Sequence, residues 1–198
     1  MTTWFARISC HQRATASRAI LLAQLEIPIE TVLHAARLAK QLGATFVLDA
    51  APAAESPREL LALADVVTVN GQEAQALSQI DAHDQASALA AARAIRRSGA
   101  RAVTVGLAEG RAIVSQDGEG WLPSHSVAVI DTTGAGDACA AGIAVGLAEG
   151  RAFADACRFG HAAAALATTR LGALASLPLR AAVDRVLNHS DDAPANVT

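Results

Sequence analysis

Short apolar runs alternate with helical segments along most of the sequence, and this alternation restricts the fold more than any other feature. Strands are predicted for the runs at 20–24, 45–48, 66–69 and 102–105. Helices are predicted between them at 28–42, 59–62, 73–78 and 86–98. Strands that alternate with helices form parallel βαβ units, which place helices on both faces of one sheet. The sequence therefore predicts a layered α/β fold with buried strands.

The pattern changes in the second half of the sequence. Runs at 111–115 and 121–124 flank Asp117-Gly118, a dipeptide that favours a tight hairpin, so two antiparallel strands are predicted at the edge of the sheet. A last strand is predicted at 127–130, followed by helices at 137–148, 152–168 and 178–187. Residues 189–198 are polar and are predicted to form a frayed tail. Residues 1–19 have no clear period, and we expect order to begin near residue 20.

Composition and charge argue against several classes of protein. A chain of 198 residues is expected to form one domain. A net charge of −3 with scattered arginines gives no basic surface for nucleic acid. The three cysteines, Cys10, Cys139 and Cys157, are too widely spaced for a zinc knuckle, and we interpret them as buried residues in a reducing compartment. Every apolar run is shorter than the roughly 18 residues that span a membrane, so a cytoplasmic protein is expected.

The strongest chemical feature is the sequence DTTGAGD at 131–137, which lies between the last predicted strand and a helix. Its two glycines allow a tight turn, and the positive end of the following helix favours a bound anion such as phosphate. The spacing fits neither a dinucleotide-binding motif nor a P-loop. Asp137 lies in the first helical turn, where it could accept a proton from a hydroxyl that attacks the phosphoryl group. A plain connection, with Asp137 only complementing the helix dipole, is the alternative.

The segment 131–137 and several other stretches of the chain resemble those of a known family. DTTGAGD matches the C-terminal signature of the PfkB-type sugar kinases, and four further stretches are similar to the ribokinase members of that family. These stretches are LLAQLEIPIETV at 21–32, AAPA at 50–53, ELLALADVVTVNGQEAQAL at 59–77 and HAAAALATTRLGALASLP at 161–178. The resemblance covers about residues 20–188 in one register. It implies a three-layer ribokinase-like sheet that lacks the N-terminal strands and the small β lid over the sugar, with residues 1–19 disordered or wrongly assigned.

The resemblance also implies roles for individual residues. Asp137 would be the catalytic base and a substrate contact, beside Gly134, Ala135 and Gly136, which would hold the transferred phosphoryl group. Asn70 and Glu73 would organise Mg²⁺ through water, and Glu26 would contact a sugar hydroxyl. Nucleotide contacts are implied for Asn70, Thr104, Val105, Gly106, Glu109, Gly110, Gly136 and His161. A monovalent cation, K⁺, would be bound by Asp131, Thr133, Ala167, Arg170, Gly172 and Ser176. Asn70 is also typical of a helix start, and His161 of a packing residue.

The function that the resemblance implies is transfer of the ATP γ-phosphoryl group to the primary hydroxyl of D-ribose. Two alternatives stay open: a PfkB-type kinase for another sugar such as fructose, or a non-catalytic nucleotide-binding fragment whose exposed sheet edge pairs with another chain. A homodimer through the missing lid region is also expected. Cys139 and Ala140 depart from the family pattern, in which Phe and Asn are usual.

Overall fold

The computed structural model describes residues 19–53 and 57–190. In this part of the chain six strands form one mixed sheet in the order of the sequence. The strands are β1 (Ile20–Ala23), β2 (Thr45–Asp49), β3 (Val66–Asn70), β4 (Ala102–Leu107), β5 (Gly110–Val114) and β6 (Glu119–Pro123). The first four strands are parallel, whereas β5 and β6 are antiparallel to their neighbours. The predicted parallel units and the predicted hairpin are therefore confirmed.

Helices cover both faces of this sheet. They are α1 (Ile29–Gln41), α2 (Arg58–Leu63), α3 (Gly71–Ser78), α4 (Gln85–Arg97), α5 (Ala135–Ala148), α6 (Phe153–Ala167), α7 (Ala173–Ser176) and α8 (Arg180–Ser190). Residues of α1 to α4 share one core cluster with the sheet, and residues of α5 and α6 share the other. The outer helix α8 packs on α6. The predicted three-layer α/β architecture is confirmed.

The two cores follow the alternation of side chains along each strand. Phe46 and Leu48 of β2 face α1 to α4, whereas Val47 between them faces α5 and α6. The same alternation separates Val67 from Val66 in β3. Each strand thus contributes to both cores. This explains why the sequence of each strand is a continuous apolar run and does not alternate between polar and apolar residues.

Small residues bring α5 and α6 close together. A Cβ atom built on Gly142 of α5 would lie 2.7 Å from the Cα of Gly160 of α6. Cys139 and Cys157 are both buried at this interface and are free of disulfides, as predicted for them, while Cys10 lies outside the described residues. The close contact packs α5 against α6, and residues of α5 also pack on the sheet.

Two predicted elements differ from the structure. The strand predicted at 127–130 is wrong, because Val129 and Ile130 are mostly exposed and pair with no strand. Instead, the N–H of Ile130 donates to the carbonyl of Thr168 at the end of α6, 2.8 Å away. The strand at 20–24 is present but only partly buried, because β1 is the edge of the described sheet.

The last helices also differ in detail from the prediction. The short helix α7 was not predicted, because its four residues are too few to show a helical period. The helix predicted at 178–187 begins two residues later and extends to Ser190, so α8 enters the segment predicted as a tail. Most of the segments 1–19 and 189–198 lies outside the described residues. Within the described part, no helix combines the length and the apolar character that a membrane crossing needs.

Candidate active site

The segment 131–137 forms a turn that leads directly into α5. Gly134 is the N-terminal cap of the helix and has a φ of 78°, a left-handed conformation that glycine adopts without strain. A Cβ atom at this position would also lie 3.1 Å from the Cα of Ala173 in α7. Glycine is therefore favoured at 134 both by the turn and by the close approach of α7.

The first turn of α5 presents free backbone donors. The N–H of Ala135 donates to the carbonyl of Thr132 at 3.1 Å, and helical hydrogen bonding starts only at the fourth residue of the helix. The N–H groups of Gly136 and Asp137 have no hydrogen-bond partner among the described residues. Together with the positive end of the helix dipole, these two groups can hold an anion. The resemblance also implied that Ala135 holds the phosphoryl group, but its N–H is less available for an anion because it already donates to Thr132.

The surface above this turn is open to solvent. Gly136 is exposed, and a Cβ atom built on it would meet nothing within 4 Å. Asp137 is exposed as well and lies in the first turn of the helix. A carboxylate at the rim of an anion site can accept a proton from a hydroxyl group that approaches the bound anion. The local geometry is therefore compatible with base chemistry at Asp137.

Asp131 joins the turn to the segment that follows α6. Its Oδ1 accepts a hydrogen bond from the N–H of Thr133 at 2.9 Å, and its Oδ2 accepts one from the N–H of Gly172 at 2.8 Å. A hydrogen bond from the Thr133 side chain, followed by these two N–H groups, lowers the pKa of Asp131. The carboxylate thus holds two chain segments together beside the N-terminus of α5.

The residues implied as ligands of a monovalent cation come from these two segments and their surroundings. They are Asp131, Thr133, Ala167, Arg170, Gly172 and Ser176. Hydrogen bonds of the Asp131 carboxylate link the first two and Gly172 directly. Ala167 and Ser176 are buried, whereas Arg170 is exposed. The structure brings three of the six residues into direct contact.

Asn70 and Glu73 form a reciprocal cap at the start of α3. The Oδ1 of Asn70 accepts from the N–H of Glu73 at 2.9 Å, and the N–H of Asn70 donates to Oε2 of Glu73 at 2.7 Å. The Asn70 side-chain amide also donates to Oε1 of Glu73 at 2.9 Å. Burial raises the pKa of Glu73, and the hydrogen bonds from Asn70 oppose this shift. The helix start that the sequence offered as an alternative for Asn70 is therefore present, and each carboxylate oxygen of Glu73 accepts one hydrogen bond from Asn70.

The loop implied to contact a nucleotide is shorter than expected. Thr104 and Val105 are fully buried and lie inside β4, so they belong to the strand and not to a loop. The strand is longer than predicted because its pairing with β5 continues up to Gly110. Gly106 therefore lies within the strand as well, and the turn consists of Glu109, which is exposed, and the residue before it.

His161 lies next to this turn, on the inner side of α6. Its Nε2 is 3.1 Å from the carbonyl oxygen of Pro123, which pairs with Gly110 across the β5 and β6 hairpin. Its ring is 5.2 Å from the ring of His125, and only 9% of the residue is exposed. Burial lowers the pKa of His161 to about 4, so the imidazole is neutral at neutral pH. The packing role that the sequence offered as an alternative is thus present, at a position adjacent to the turn.

One acidic residue of this region was missed by the sequence interpretation. Asp49 ends β2, directly before the AAPA segment, and is 6% exposed. Burial first, and then the negative charges of Glu73 and Asp137, raise its pKa to about 7 against an opposing contribution from Arg111. Glu26, which is exposed and lies beyond the end of β1, also raises the pKa of Asp49, by a smaller amount. An acid directly after a buried run, at the carboxyl end of a parallel strand, is the signal that could have identified Asp49.

Asp49 and two of the predicted site residues, Asn70 and Asp137, lie along one edge of the sheet. Asp49 and Asn70 end neighbouring parallel strands, and the N-terminus of α5 brings Asp137 within electrostatic range of Asp49. In the described part of the chain no group of three or more histidine, cysteine or acidic side chains is arranged to hold a metal ion directly.

The fold and the site define a class: a three-layer α/β protein with unbonded N–H groups at a helix N-terminus and carboxylates at the carboxyl edge of its sheet. The model of the pfkB family of carbohydrate kinases matches residues 8–180, which is well over half of the chain. The chain therefore belongs to the pfkB family of carbohydrate kinases.

Individual members of the family are similar in sequence and in structure. The ribokinase of Haemophilus influenzae is 39% identical over 171 residues, which cover 86% of this chain and 56% of that protein. The structure of Arabidopsis thaliana ribokinase complexed with ribose and ATP is 31% identical, with a TM-score of 0.78, over 85% of this chain and 55% of that one. Phosphofructokinase-2 from Escherichia coli, in complex with potassium, is 25% identical, with a TM-score of 0.75, over 88% and 58% of the two chains. The chain spans about half the length of the curated relatives it matches.

Proposed function

We propose that this chain carries the nucleotide and phosphoryl-transfer side of a sugar kinase that moves the γ-phosphoryl group of ATP to the primary hydroxyl of ribose. The observation that carries the proposal is the first turn of α5, where the free N–H groups of Gly136 and Asp137 lie beside the Asp137 carboxylate. The similar proteins from H. influenzae and A. thaliana are ribokinases, and the latter was solved with ribose and ATP.

The chemistry follows from the polarity of this turn. The transition state of phosphoryl transfer spreads negative charge over the equatorial oxygens, and N–H donors at a helix N-terminus stabilise that charge. The carboxylate of Asp137 accepts the proton that the sugar hydroxyl releases as it attacks. Gly134 sets the direction of the turn, and Gly136 leaves space for the transferred group.

The nucleotide is proposed to lie along the carboxyl edge between α3 and the turn at Glu109. Asn70 is exposed at the end of β3 and is held by Glu73, so its amide is oriented before a ligand binds. Gly110 and the buried His161 form the wall beyond the turn, where the adenine would pack. Thr104, Val105 and Gly106 support this edge from within β4, so their contribution is through the backbone or through packing.

The donor set at this edge fits a hydrated magnesium ion. Glu73 keeps oxygen lone pairs free beyond its two hydrogen bonds with Asn70, and carboxylate and amide oxygens suit Mg²⁺ that retains part of its water shell. When bound, Mg²⁺ neutralises charge on the nucleotide phosphates. The role of Glu73 is then to hold the bound water molecules in place.

A monovalent cation is proposed at the junction that Asp131 makes. The Asp131 carboxylate, which joins the segments of Thr133 and Gly172, supplies two oxygen atoms at this junction, and the structure of E. coli phosphofructokinase-2 is in complex with potassium. The remaining ligands implied by the resemblance are Thr133, Ala167, Arg170, Gly172 and Ser176. A cation here would stiffen the turn that carries Gly134. We expect K⁺ to strengthen ADP binding and Asp131→Ala to abolish that effect, measured by calorimetry in K⁺ against Li⁺ buffers.

The experiment separates binding from transfer. Calorimetry with ADP tests the nucleotide side, and a coupled assay of ADP formation with ribose, in which the sugar side of the kinase is supplied as a second chain, tests the reaction. Asp137→Asn should abolish ribose-dependent ADP formation and leave ADP affinity within about threefold. Asp155→Asn is the matched control, because Asp155 lies in the first turn of α6 and has no glycine turn before it. Binding of ADP without any turnover, or equal loss of turnover in both variants, would contradict the proposed role.

The choice of sugar is the second part of the assay. Glu26 lies within electrostatic range of the acidic edge, which supports a contact with a sugar hydroxyl there. Ribose is expected to be used in preference to fructose, and a faster reaction with fructose would identify a different sugar kinase. The two described cysteines are unpaired, which supports the expected cytoplasmic location. Association of two copies through a lid stays a prediction, since the described residues include no such lid.

A further inference from the structure

Arg111 is a buried cation that the proposed chemistry does not yet use. It lies on β5, and only 8% of the residue is exposed. The side chain runs across Gly106 of β4, since a Cβ atom built on that glycine would lie 2.5 Å from Nη2 of Arg111. Gly106 therefore leaves the space that the guanidinium occupies.

The partners of this guanidinium are neutral. Nη1 of Arg111 donates to the hydroxyl of Thr104 at 3.2 Å and lies 3.4 Å from the hydroxyl of Thr68. Its Nε has no hydrogen-bond partner, and no carboxylate of the described residues lies within ion-pair distance. A buried charge without an opposite charge is costly, so a fold that retains one needs a compensating reason.

The position of Arg111 suggests that reason. Arg111 pairs with Gly106, which pairs in turn with Asn70, so the three lie in one row across the sheet just behind its carboxyl edge. The side chain lies on the α5 and α6 face, as does Ile113 two residues further along β5. Its positive charge acts on Asp49 and Glu73, lowering the pKa of each. The guanidinium thus lies beneath the edge at which the nucleotide phosphates are proposed to bind.

We propose that Arg111 is an electrostatic positioning residue for the nucleotide polyphosphate: held by Thr68 and Thr104 in the space left by Gly106, its charge attracts the phosphate chain without touching it. This inference rests on the proposed function, because it needs a nucleotide at this edge. Without the guanidinium, the acids Asp49 and Glu73 would leave the edge negative and would repel a triphosphate. A charge that acts at a distance in a low-dielectric interior has an effect that grows with the charge of the ligand.

The test is the affinity of the chain for ATP, ADP, AMP and adenosine, measured by calorimetry at one pH and one salt concentration. Arg111→Met should weaken ATP binding about tenfold, ADP and AMP binding progressively less, and adenosine binding not at all. Arg101→Met is the matched control, because Arg101 lies at the opposite end of β4 and is exposed. It should leave all four affinities unchanged.

Two further variants separate charge from structure. Arg111→Lys keeps the positive charge and should keep the ratio of ATP to adenosine affinity within about threefold of the original. Arg111 also affects the protonation of Asp49, and the double variant Asp49→Asn with Arg111→Met removes that carboxyl. Its affinities for ATP, ADP, AMP and adenosine should depend on the number of phosphates in the same way as those of Arg111→Met. Equal weakening of all four ligands by Arg111→Met, an unchanged ratio, or a lysine variant as impaired as the methionine variant would each overturn the inference. If the unaltered chain binds none of the four ligands, the proposed nucleotide site itself is refuted.

Discussion

The buried carboxyl of Asp49 allows the electrostatics of the site to be measured without any ligand. Its pKa is raised from 3.8 to about 7, because burial and the neighbouring acids disfavour the charged form. The native state therefore keeps a proton that the unfolded state releases between these two values. Since stability falls with pH wherever the native state binds more protons, ionised Asp49 destabilises the fold at neutral pH. Replacement of Asp49 by asparagine removes this penalty.

The size of the effect follows from the shift. Each pKa unit corresponds to about 1.4 kcal/mol, so the full penalty is about 4 kcal/mol, of which about 3 kcal/mol develops between pH 5 and pH 8. The free energy of unfolding of Asp49→Asn, minus that of the unaltered chain, should therefore rise by about 3 kcal/mol between these two pH values. If the asparagine amide packs or hydrogen-bonds differently from the Asp49 carboxyl, the difference in unfolding free energy changes by a constant amount that does not depend on pH.

Urea unfolding followed by circular dichroism, at several pH values from 5 to 8, measures this difference. Groups that titrate in both proteins, His161 among them, cancel in the comparison. Asp117→Asn is the control, because Asp117 is exposed in the β5 and β6 turn and asparagine suits the same turn. If the stability difference between Asp49→Asn and the unaltered chain stays within about 0.5 kcal/mol across this range, the reasoning about the acidic edge is refuted.

Three further outcomes are expected. Gly134→Ala should destabilise the chain by about 1–2 kcal/mol in urea unfolding and weaken ADP binding, because φ is 78° and α7 is close, whereas Gly136→Ala, with no neighbour within 4 Å, should leave stability within about 0.5 kcal/mol. The pKa of His161 is lowered to about 4, so the free energy of unfolding of the unaltered chain should fall by about 2 kcal/mol between pH 7 and pH 5, relative to that of His161→Gln. An equal fall in both proteins would contradict the argument that burial lowers this pKa. Asn70→Ala should lower the free energy of unfolding by about 1 kcal/mol through loss of the reciprocal cap, and no measurable change would show that the cap does not stabilise α3.

Most of the fold was predictable because its strands and helices are short periodic units in a fixed alternation. The strand prediction at 127–130 was wrong for a specific reason. A short apolar run rich in β-branched residues shows only that a segment is suited to a sheet, and not that a neighbouring strand is available. Here β5 and β6 form the hairpin side of the sheet, and Ile130 bonds to the end of α6 instead. Pairing partners are a tertiary property that a local pattern does not contain.

The residues of the candidate site also differ in whether their roles depend on neighbours in sequence or on the tertiary fold. Gly134, Asn70 and Glu73 could be predicted because their roles in the turn and the cap depend on residues next to them in sequence. Asp49 and Arg111 depend on what the fold places around them, and each is an unremarkable charge within its own segment. Burial of both follows only when α5 and α6 cover that face of the sheet.

The relation between Gly106 and Arg111 is the clearest case of information that the sequence pattern lacks. With the predicted strand bounds of 102–105 and 111–115, Gly106 lies in a loop and pairs with nothing. In the structure both strands are longer at this end, the turn between them has two residues, and the register therefore places Gly106 directly opposite Arg111. The missing side chain of one residue then becomes the space for the charge of the other. Because this pairing depends on the exact turn length, a single insertion at Glu109 would uncouple the two residues while leaving both in the sequence.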